Sequence, residues 1–423
     1  MCFNKNKLYL GLLILMISVS FLEASTSYYV AIDGEDNGNN GSIEEPWRTF
    51  DYALANSKPG DSVIVRQGTY HTALWIRSDF GGVTDSLKTV MAYPEEEVIF
   101  ENTYISIEVK AVRIQGFILK QSYISLSAND IEILDNHIIR NSGTAAIYVY
   151  GGTCSNILID NNFVENDGEL SSLRYGIYFT GGSHNIFSNN IIKGFTDVGI
   201  YIYDEFATTE DILITNNHIF DSKFRSGILV LSHTRSRIEN ITLCNNILVD
   251  NAEFGIELRN TIKNAKIFNN TLIQASLDSI PYMWGNDRCG IFLANEPELI
   301  QIKNNIFFNK DNIGTHIHIV GEDAELPDLS HNLYWPDSSK LLILGNDWEN
   351  ILGTFEDSHP VIGDPLFIDL ANDDYRLIHG SPGINCGLDL GIPFIGELPD
   401  LGAFESSDTI TTSIKDLTGY RVS

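Results

Sequence analysis

Hydrophobic residues recur at alternate positions in short segments along most of the chain. The clearest pairs are Ile131 and Ile133, Ile157 and Ile159, Ile212 and Ile214, Ile241 and Leu243, and Ile300 and Ile302. Alternation with a period of two over so few residues predicts short β-strands with one buried face. No long segment has the 3.6-residue period of an amphipathic helix. The pattern therefore predicts an all-β protein made of many short strands.

A pair of short polar residues that ends in asparagine follows most of these segments. The second members are Asn136, Asn162, Asn190, Asn217, Asn246, Asn270 and Asn305, which are separated by 26, 28, 27, 29, 24 and 35 residues. Asparagine tolerates the left-handed backbone of a tight corner, and its side chain can hydrogen-bond to nearby backbone. Stacked once per coil, these residues would form a ladder in which each amide satisfies its neighbour.

A Gly-Ile motif repeats in phase with the asparagine pairs. Its copies are Gly176-Ile177, Gly199-Ile200, Gly227-Ile228, Gly255-Ile256 and Gly290-Ile291. Two or three short strands per coil of about 25 residues, with corners between them, describe a solenoid of parallel strands. The repeat therefore predicts a single solenoid, although a length of 423 residues alone would suggest two or three domains.

The composition excludes two classes of protein. With 27 basic and 56 acidic residues, the formal net charge is -29. A general nucleic-acid binder is excluded because such proteins neutralise phosphates with a basic surface. The hydrophobic fraction of 43% is sufficient to fill a core, which excludes wholesale disorder.

The N-terminus has the pattern of a secretory signal peptide. Lys5 and Lys7 precede an apolar run over residues 8–22, and the small residue Ala24 follows. A membrane-spanning helix is the alternative, but it needs about 20 apolar residues, which is more than this run provides. We therefore predict a secreted or periplasmic protein with no membrane span after the signal peptide is removed.

Four segments follow from these patterns. They are a signal peptide at 1–24, an N-terminal strand and capping helix at 25–61, the solenoid at 62–405, and a flexible C-terminal tail at 406–423. An N-terminal cap is expected because an open stack of strands exposes backbone edges that promote aggregation. Phe50, Ala53 and Leu54 have the helical spacing expected of a short helix over the first coil.

Motifs near both ends of the chain resemble those of the right-handed parallel β-helix proteins of the pectate-lyase-like superfamily. They are Tyr28-Tyr29-Val30-Ala31, Pro46-Trp47-Arg48-Thr49-Phe50, Gly68-Thr69-Tyr70, Asp364-Pro365-Leu366-Phe367, Ser381-Pro382-Gly383-Ile384 and Asp400-Leu401-Gly402-Ala403-Phe404-Glu405. The resemblance implies a right-handed parallel β-helix and a secreted carbohydrate-active protein. It does not identify the reaction, because one fold hosts many chemistries.

Residues at equal offsets from the repeated glycine should align in rows across the strands, about 4.8 Å apart. Two positions after the glycine, pointing outward, the row is Tyr178, Tyr201, Leu229, Glu257 and Phe292. Two positions before it, the row alternates in charge: Arg174, Asp197, Arg225, Glu253 and Arg288. The alternating row fits either an ion ladder that avoids like-charge stacking or charges that orient a saccharide.

Aromatic residues supply candidate substrate contacts. Tyr178, Tyr201 and Tyr203 fit a platform for sugar rings, and they fit the ordinary preference of aromatic residues for β-strands equally well. The longest step of the repeat contains an insertion at 276–288, which includes Trp284. We expect this insertion either to form a wall of the groove or to pack over the coil.

Eliminative cleavage of a uronic-acid glycan is the first candidate reaction. It needs a base beside the carboxylate-bearing carbon and a group that neutralises the carboxylate. Candidates on three adjacent coils are Lys223, Arg225, His233, Arg259 and Tyr201. His233 is the most suitable base near neutral pH. The resemblance favours this lyase chemistry.

Two other functions remain open. Hydrolysis needs a carboxylate pair, here Glu257 with Asp204 or Glu205, roughly 9 to 10 Å apart; the net charge favours this option because it repels polyanions. A non-catalytic glycan-binding or adhesion solenoid would have the same ladder and tyrosines.

The cofactor and the site complete the prediction. Superfamily members that use calcium have clustered acids, for which Asp204, Glu205, Glu210 and Asp211 are the nearest substitute, so Ca²⁺ stays open as a cofactor. The favoured prediction is a lyase that acts on a polysaccharide. Its predicted catalytic residues are His233, Arg225, Lys223, Glu257 and Asp204, and its predicted substrate-binding residues are Tyr178, Tyr201, Tyr203, Arg259, Trp284 and Arg288.

Overall fold

The computed structural model describes residues 25–406, except 78–79, 141, 167–171, 205–208, 234–235, 275–287, 296, 311–314, 322–324, 337–341 and 346–350. The predicted signal peptide, Glu205, Trp284 and residues 407–423 of the predicted tail lie outside the described residues.

Three long sheets surround one elongated core, and each complete coil adds one strand to each sheet. Neighbouring strands pair in parallel, so that Ile133 lies beside Ile159 of the next coil. Inward-facing isoleucines, valines and phenylalanines from all three sheets form a continuous buried cluster. The predicted parallel β-helix is confirmed, because alternate residues of each short strand are buried along the whole stack.

The sheets are named A, B and C in the order in which a coil passes through them. Sheet A contains Ser27–Val30, Ser62–Val65, Lys88–Ala92, Val112–Gln115, Ile131–Leu134, Ile157–Asp160, Ser183–Ser188, Thr209–Thr215, Ile238–Cys244, Ile262–Phe268, Gln301–Lys303 and Asp328–Ser330. Sheet B contains Gly68–Tyr70, Val98–Glu101, Ile118–Lys120, His137–Ile139, Phe163–Glu165, Ile191–Lys193, His218–Phe220, Ile247–Asn251, Thr271–Gln274, Ile306–Asn309, Leu333–Trp335 and Val361–Ile362.

Sheet C carries the candidate groove on its outer face. It contains Leu74–Ile76, Tyr104–Ile107, Tyr123–Leu126, Ser142–Val149, Ser172–Phe179, Val198–Asp204, Ser226–Ser232, Phe254–Arg259, Cys289–Ala294, Thr315–Val320, Leu342–Gly345 and Ile351–Thr354. The last of these strands is antiparallel to its neighbour, whereas the others pair in parallel.

A buried asparagine ladder lies at the corner between sheets A and B. The amide nitrogen of each member donates to the amide oxygen of the next at 2.9–3.0 Å through Asn136, Asn162, Asn190, Asn217, Asn246, Asn270, Asn305 and Asn332. Asn332 in turn donates to the carboxylate of Asp357 at 2.7 Å. The preceding residue of each pair has positive φ, for example 55° at Asn216, which is the left-handed corner that the sequence predicts.

The repeated glycines of sheet C are required by close packing between coils. A Cβ atom at Gly199 would lie 2.7 Å from the carbonyl oxygen of Gly227, and one at Gly255 would lie 2.8 Å from that of Gly290. Real Cβ atoms essentially never come so close to a backbone oxygen. The Gly-Ile motif therefore marks positions in the strands of sheet C at which the backbones of adjacent coils come very close together.

The N-terminal end of the core is covered by a short helix, Phe50–Asn56. Its N-cap is Thr49, whose hydroxyl accepts a hydrogen bond from the backbone nitrogen of Tyr52, and its buried residues are Phe50, Ala53 and Leu54. None of the helices in the described part of the chain has the length and apolar character needed to cross a bilayer.

The C-terminal segment folds back along the outside of sheet B. It contains the antiparallel strands Phe367–Asp369 and Asp374–Leu377, joined by the 3₁₀ helix Leu370–Asn372. The amide nitrogen of Asn269 donates to the carbonyl oxygen of Asp400, and the backbone nitrogen of Ala403 donates to the hydroxyl of Thr271. This segment leaves the outer face of sheet C uncovered.

Candidate functional site

The outer face of sheet C presents the row of side chains that the glycine spacing predicts. The register pairs Tyr178 with Tyr201, then Leu229, Glu257 and Phe292 on successive strands. Tyr148 precedes this row and His318 follows it. The row is aromatic as far as Tyr201 and carries a carboxylate at Glu257, two strands later.

Tyrosines 148, 178 and 201 form a continuous stack. Adjacent ring centroids are 5.1 and 5.0 Å apart, and the ring planes differ by only 5° and 8°. Tyr201 is 9% exposed, and burial raises the pKa of its hydroxyl well above the usual value. Because each ring covers the face of the next, a ligand meets ring edges and hydroxyl groups at Tyr178. The faces of these stacked rings are therefore not exposed as a platform for sugar rings, which was one of the two arrangements that the sequence allowed.

Glu257 anchors the charged part of the groove. Its side chain is 0% exposed, and its carboxylate accepts hydrogen bonds from Arg225 at 3.0 and 3.1 Å and from the hydroxyl of Ser226 at 2.5 Å. Arg259 forms a further ion pair with the same carboxylate. Burial alone would raise the pKa of Glu257, but the two guanidinium groups outweigh it and hold that pKa below its usual value.

The two arginines reach the same carboxylate from opposite ends of their strands. Arg225 lies just before the strand Ser226–Ser232, and Arg259 is the last residue of Phe254–Arg259. Their side chains remain 30% and 29% exposed, and the guanidinium of Arg259 lies 5.0 Å from the ring centroid of Phe292. Glu257 neutralises one of the two charges, so the pair presents a net positive charge to a ligand.

Glu253 is a titratable group that the sequence prediction did not assign to the site. It is half-buried. Burial and the charge of Glu257 raise the pKa of its carboxyl to about 7, while Arg225 and Arg259 act in the opposite direction. The alternating charge row contained this residue, but only its burial in the fold distinguishes it from an ordinary surface glutamate.

The predicted hydrolytic pair is enclosed in the structure. Asp204 and Glu257 are both 0% exposed, and the carboxylate oxygens of Glu257 already accept hydrogen bonds from Arg225 and Ser226. The sequence could not anticipate this enclosure, because outward rows and enclosed corners have the same spacing. In the described structure Glu257 holds the two arginines, and the catalytic roles predicted for Glu257 and Asp204 stay predictions.

Lys223 lies shortly before the strand Ser226–Ser232 of sheet C, and His233 follows that strand directly. The backbone nitrogen of His233 donates to the carbonyl oxygen of Asp204 at 3.1 Å, and its ring lies 6.4 Å from that of Tyr203 in an edge-on contact. The backbone nitrogen of Lys223 donates to the carbonyl of Phe195. Both side chains are half-buried, and their predicted catalytic roles stay predictions.

Arg288 lies at the end of the groove that is next to the insertion. It is 7% exposed, and its carbonyl oxygen accepts a hydrogen bond from the backbone nitrogen of Thr315. It lines a narrow crevice together with Glu253 and Gln274. Trp284 of the same insertion lies outside the described residues, so its predicted contact with substrate stays a prediction.

No group of three or more His, Cys, Asp or Glu side chains within the described ranges is arranged to hold a metal ion. Of the four acids considered as a calcium cluster, Glu205 lies outside those ranges, and Asp204 is enclosed. Arg225 and Arg259 supply positive charge that a ligand can reach in the described part of the groove.

Residues 28–227 match a family model described as "Pel9A-like, right handed beta helix region". Among curated proteins, the uncharacterized protein YwoF of Bacillus subtilis (strain 168) is 24% identical over 447 residues, which cover 85% of this chain and 92% of the relative. The family-model match confirms the resemblance to right-handed parallel β-helix proteins of the pectate-lyase-like type.

Solved structures share the fold over most of the chain. Pectate lyase Pel9A aligns with a TM-score of 0.61 and 16% identity, covering 91% of this chain and 97% of that one. A rhamnogalacturonan lyase aligns with a TM-score of 0.52 and 14% identity, covering 82% and 92%. A GH136 lacto-N-biosidase from Eubacterium ramulus aligns with a TM-score of 0.54 and 10% identity, covering 80% and 67%. At these identities the comparison supports the fold, and the reaction has to be argued from the groove.

Proposed function

We propose, taking this likeness to carbohydrate-active β-helix proteins as the premise, that the chain is a secreted enzyme that cleaves a uronic-acid polysaccharide by β-elimination. The observation that carries the proposal is the arginine pair on sheet C. Arg225 and Arg259 are fixed by a fully buried glutamate, yet each keeps about 30% of its side chain accessible. A guanidinium held in this way is suited to bind a sugar carboxylate through paired hydrogen bonds.

Binding of the carboxylate is also a chemical requirement of the reaction. Removing the proton from the adjacent sugar carbon builds negative charge that spreads onto the carboxylate, and nearby fixed positive charge stabilises that charge as it develops. The net charge of -29 disfavours a polyanion at long range. The arginine pair offsets this repulsion locally, because charges beyond about 8–10 Å are largely screened at physiological ionic strength.

The stacked tyrosines support an extended substrate. Tyr148 and Tyr178 continue the groove from the arginine pair towards the N-terminal coils, and the edges of their stacked rings face outward. Phenolic hydroxyls can donate to and accept from sugar hydroxyls. A chain of sugars lying across the strands would therefore contact the arginine pair at the point of cleavage. On one side of that point it would contact the polar edges of the tyrosine rings.

The proposal is tested by incubating the purified mature protein with uronic-acid polymers and with neutral polysaccharides, with calcium and with a chelator. Absorbance of unsaturated ends and formation of reducing ends are followed separately. We expect unsaturated product from a uronic-acid polymer only. Reducing ends without unsaturation would identify a hydrolase instead, and binding without any product would identify a glycan-binding solenoid.

A matched pair of variants locates the activity on sheet C. Arg259→Ala removes one carboxylate contact, whereas Arg113→Ala removes an arginine that pairs with Glu132 on sheet A. We expect Arg259→Ala to raise KM and lower kcat, and Arg113→Ala to change neither. Equal effects of the two variants would place the activity elsewhere. Secretion is tested by sequencing the N-terminus of exported protein, which we expect to begin near residue 25.

A further inference from the structure

Glu253 differs from the other acids around the arginine pair. Glu257 accepts hydrogen bonds from Arg225 and Ser226, and Asp197 accepts one from Arg174 at 3.0 Å. The carboxylate of Glu253 has no hydrogen-bond donor among the described residues, and the side chain is only partly buried. It is therefore an acid that feels the charges of this cluster and that can still meet a ligand.

The backbone fixes Glu253 beside Arg225. The backbone nitrogen of Glu253 donates to the carbonyl oxygen of Arg225 at 2.9 Å, and its own carbonyl accepts from Cys289 at 3.1 Å. The two residues thus occupy equivalent positions on adjacent coils, about 4.8 Å apart along the stack. When the carboxylate of a sugar binds Arg225, the adjacent carbon of that sugar lies within reach of a side chain one coil away, which is the position of Glu253.

Glu253 also faces a crevice at the corner between sheets B and C. Asn251, Gln274 and Arg288 line the polar part of this crevice, with Leu248 and Leu272 behind them. Gln274 is 7% exposed, and its amide oxygen is enclosed with no hydrogen-bond donor among the residues that the structure describes. An enclosed acceptor of this kind is normally satisfied by a water or a ligand hydroxyl, so the crevice is suited to polar groups as well as to apolar ones.

The charges that face Glu253 explain its protonation behaviour. Glu257 and Asp197 disfavour its ionised form, Arg225 and Arg259 favour it, and Arg288 lines the same crevice. Burial is the largest cause that raises this pKa, and together with the two acids it brings the value to about 7. A carboxylate with a pKa near 7 is a stronger base than an ordinary glutamate, and it is still ionised at neutral to alkaline pH.

We propose that Glu253 is the base that removes the proton from C5 of the uronic-acid unit bound by Arg225 and Arg259. This inference rests on the proposed β-elimination and assigns its proton acceptor to Glu253 in place of His233. The C5 proton moves to the carboxylate, and the electron pair of the C5–H bond becomes the second bond between C4 and C5. The C4–O4 bond breaks, its electron pair leaves with O4, and O4 takes a proton from solvent water. Glu253 then releases its proton to solvent.

The test compares Glu253→Gln, Glu253→Asp and His233→Asn with wild type on the uronic-acid polymer that wild type cleaves. We expect Glu253→Gln to lower kcat at least about 100-fold with little change in KM. Glu253→Asp should restore part of kcat. In wild type, kcat/KM should fall below about pH 7 as the base becomes protonated. The variant His233→Asn should show the same fall of kcat/KM below about pH 7, which we call the acid limb of the pH profile. Glu298→Gln on the far side of the coil, whose exposed side chain pairs with Lys263, should leave activity unchanged.

The outcomes separate this inference from the proposed function. If Glu253→Gln keeps wild-type kcat, or if His233→Asn alone abolishes the acid limb, the assignment of the base is wrong although the lyase stands. If wild type yields no unsaturated product from any uronic-acid polymer, the proposed function fails and this inference fails with it. Binding of an uncleaved oligosaccharide by Glu253→Gln, measured by calorimetry, shows that the variant is folded; loss of binding as well as turnover would assign Glu253 a structural role and overturn the inference.

Discussion

Arg225 and Glu257 form a two-point ion pair that runs diagonally across the outer face of sheet C. Nε and Nη2 of Arg225 lie 3.0 and 3.1 Å from the two carboxylate oxygens of Glu257 on the next strand. Arg225 precedes its strand, whereas Glu257 lies in the middle of the following one. The arginine side chain therefore lies along the sheet, with its guanidinium held in one orientation by a rigid neighbour.

Loss of the buried carboxylate should destabilise the protein strongly. Glu257→Gln removes the charge that balances two guanidinium groups, and breaking a buried ion pair on one side costs about 3–5 kcal/mol. The measurement is the free energy of unfolding in urea, followed by circular dichroism. Glu132→Gln is the matched control because its pair with Arg113 is partly exposed and should contribute about 1 kcal/mol or less. Equal losses would show that the buried pair contributes no more than the surface one.

Glu253 should make stability depend on pH in a defined direction. Its pKa is about 7 in the folded protein and about 4.3 in an unfolded chain, so between these values the folded state binds more protons. The contribution of Glu253 to stability is therefore complete below about pH 4.3 and is lost as the pH rises through about 7.

The variant Glu253→Gln lacks this dependence. Relative to wild type, it should gain stability between pH 5 and pH 8, by an amount of order 1 kcal/mol once solvent screening is allowed for. Thermal unfolding at both pH values measures the difference. Glu298→Gln, at an exposed pair, should change stability by less than about 1 kcal/mol at either pH. A constant difference between Glu253→Gln and wild type would contradict the prediction.

Within each asparagine pair, the buried second residue should be sensitive to substitution, and the exposed first residue should tolerate it. Asn217 accepts from the backbone and side-chain nitrogens of Asn190, so Asn217→Ala leaves two buried donors without an acceptor, at about 1–3 kcal/mol each. Asn216 is exposed with φ of 55°. Asn216→Gly keeps that backbone and should cost less than about 1 kcal/mol. Chemical denaturation of the two variants checks the ranking, and equal losses would show that the buried acceptor of Asn217 contributes no more than the exposed side chain of Asn216.

The tyrosine stack predicts which part of each ring a glycan meets. Tyr178 has its faces covered by Tyr148 and Tyr201, so Tyr178→Phe removes the hydroxyl at the ring edge and keeps the stack. We expect an affinity loss of about 2- to 12-fold, corresponding to one hydrogen bond of about 0.5–1.5 kcal/mol. Calorimetric titration with an uncleaved oligosaccharide measures it. Unchanged affinity would indicate stacking on the ring face instead.

Much of the fold could be predicted because each coil repeats the same physical requirement. The asparagine at each corner and the repeated glycine within five strands of sheet C hold equivalent positions on successive coils, so counting along the chain gives the register. Asn332 and Asp357, which end the ladder, escaped the prediction because His331 replaces the first asparagine of the pair and Asp357 replaces the second. A carboxylate oxygen accepts the same hydrogen bond as an amide oxygen.

The site was less predictable because it depends on side-chain reach and on burial. The alternating row gave the positions of Arg174 and Asp197, which do pair at 3.0 Å within that row. Arg225 has the same spacing but pairs out of the row with Glu257. Spacing along the chain does not distinguish a side chain that stands out from the sheet from one that lies along it, and it gives no measure of the desolvation that raises the pKa of Glu253.

The C-terminal segment alters how the late coils should unfold. In a simple solenoid each coil contacts only its neighbours, so that the array can fray from one end, one repeat at a time. Here Asp400 is bound to Asn269, Leu388 to Asn304 and Tyr375 to the ring of His218, which links non-adjacent coils through one strap. These coils should consequently melt as a single cooperative unit that includes Glu253 and the strand Phe254–Arg259 that follows it, so the groove and the C-terminal segment are lost together.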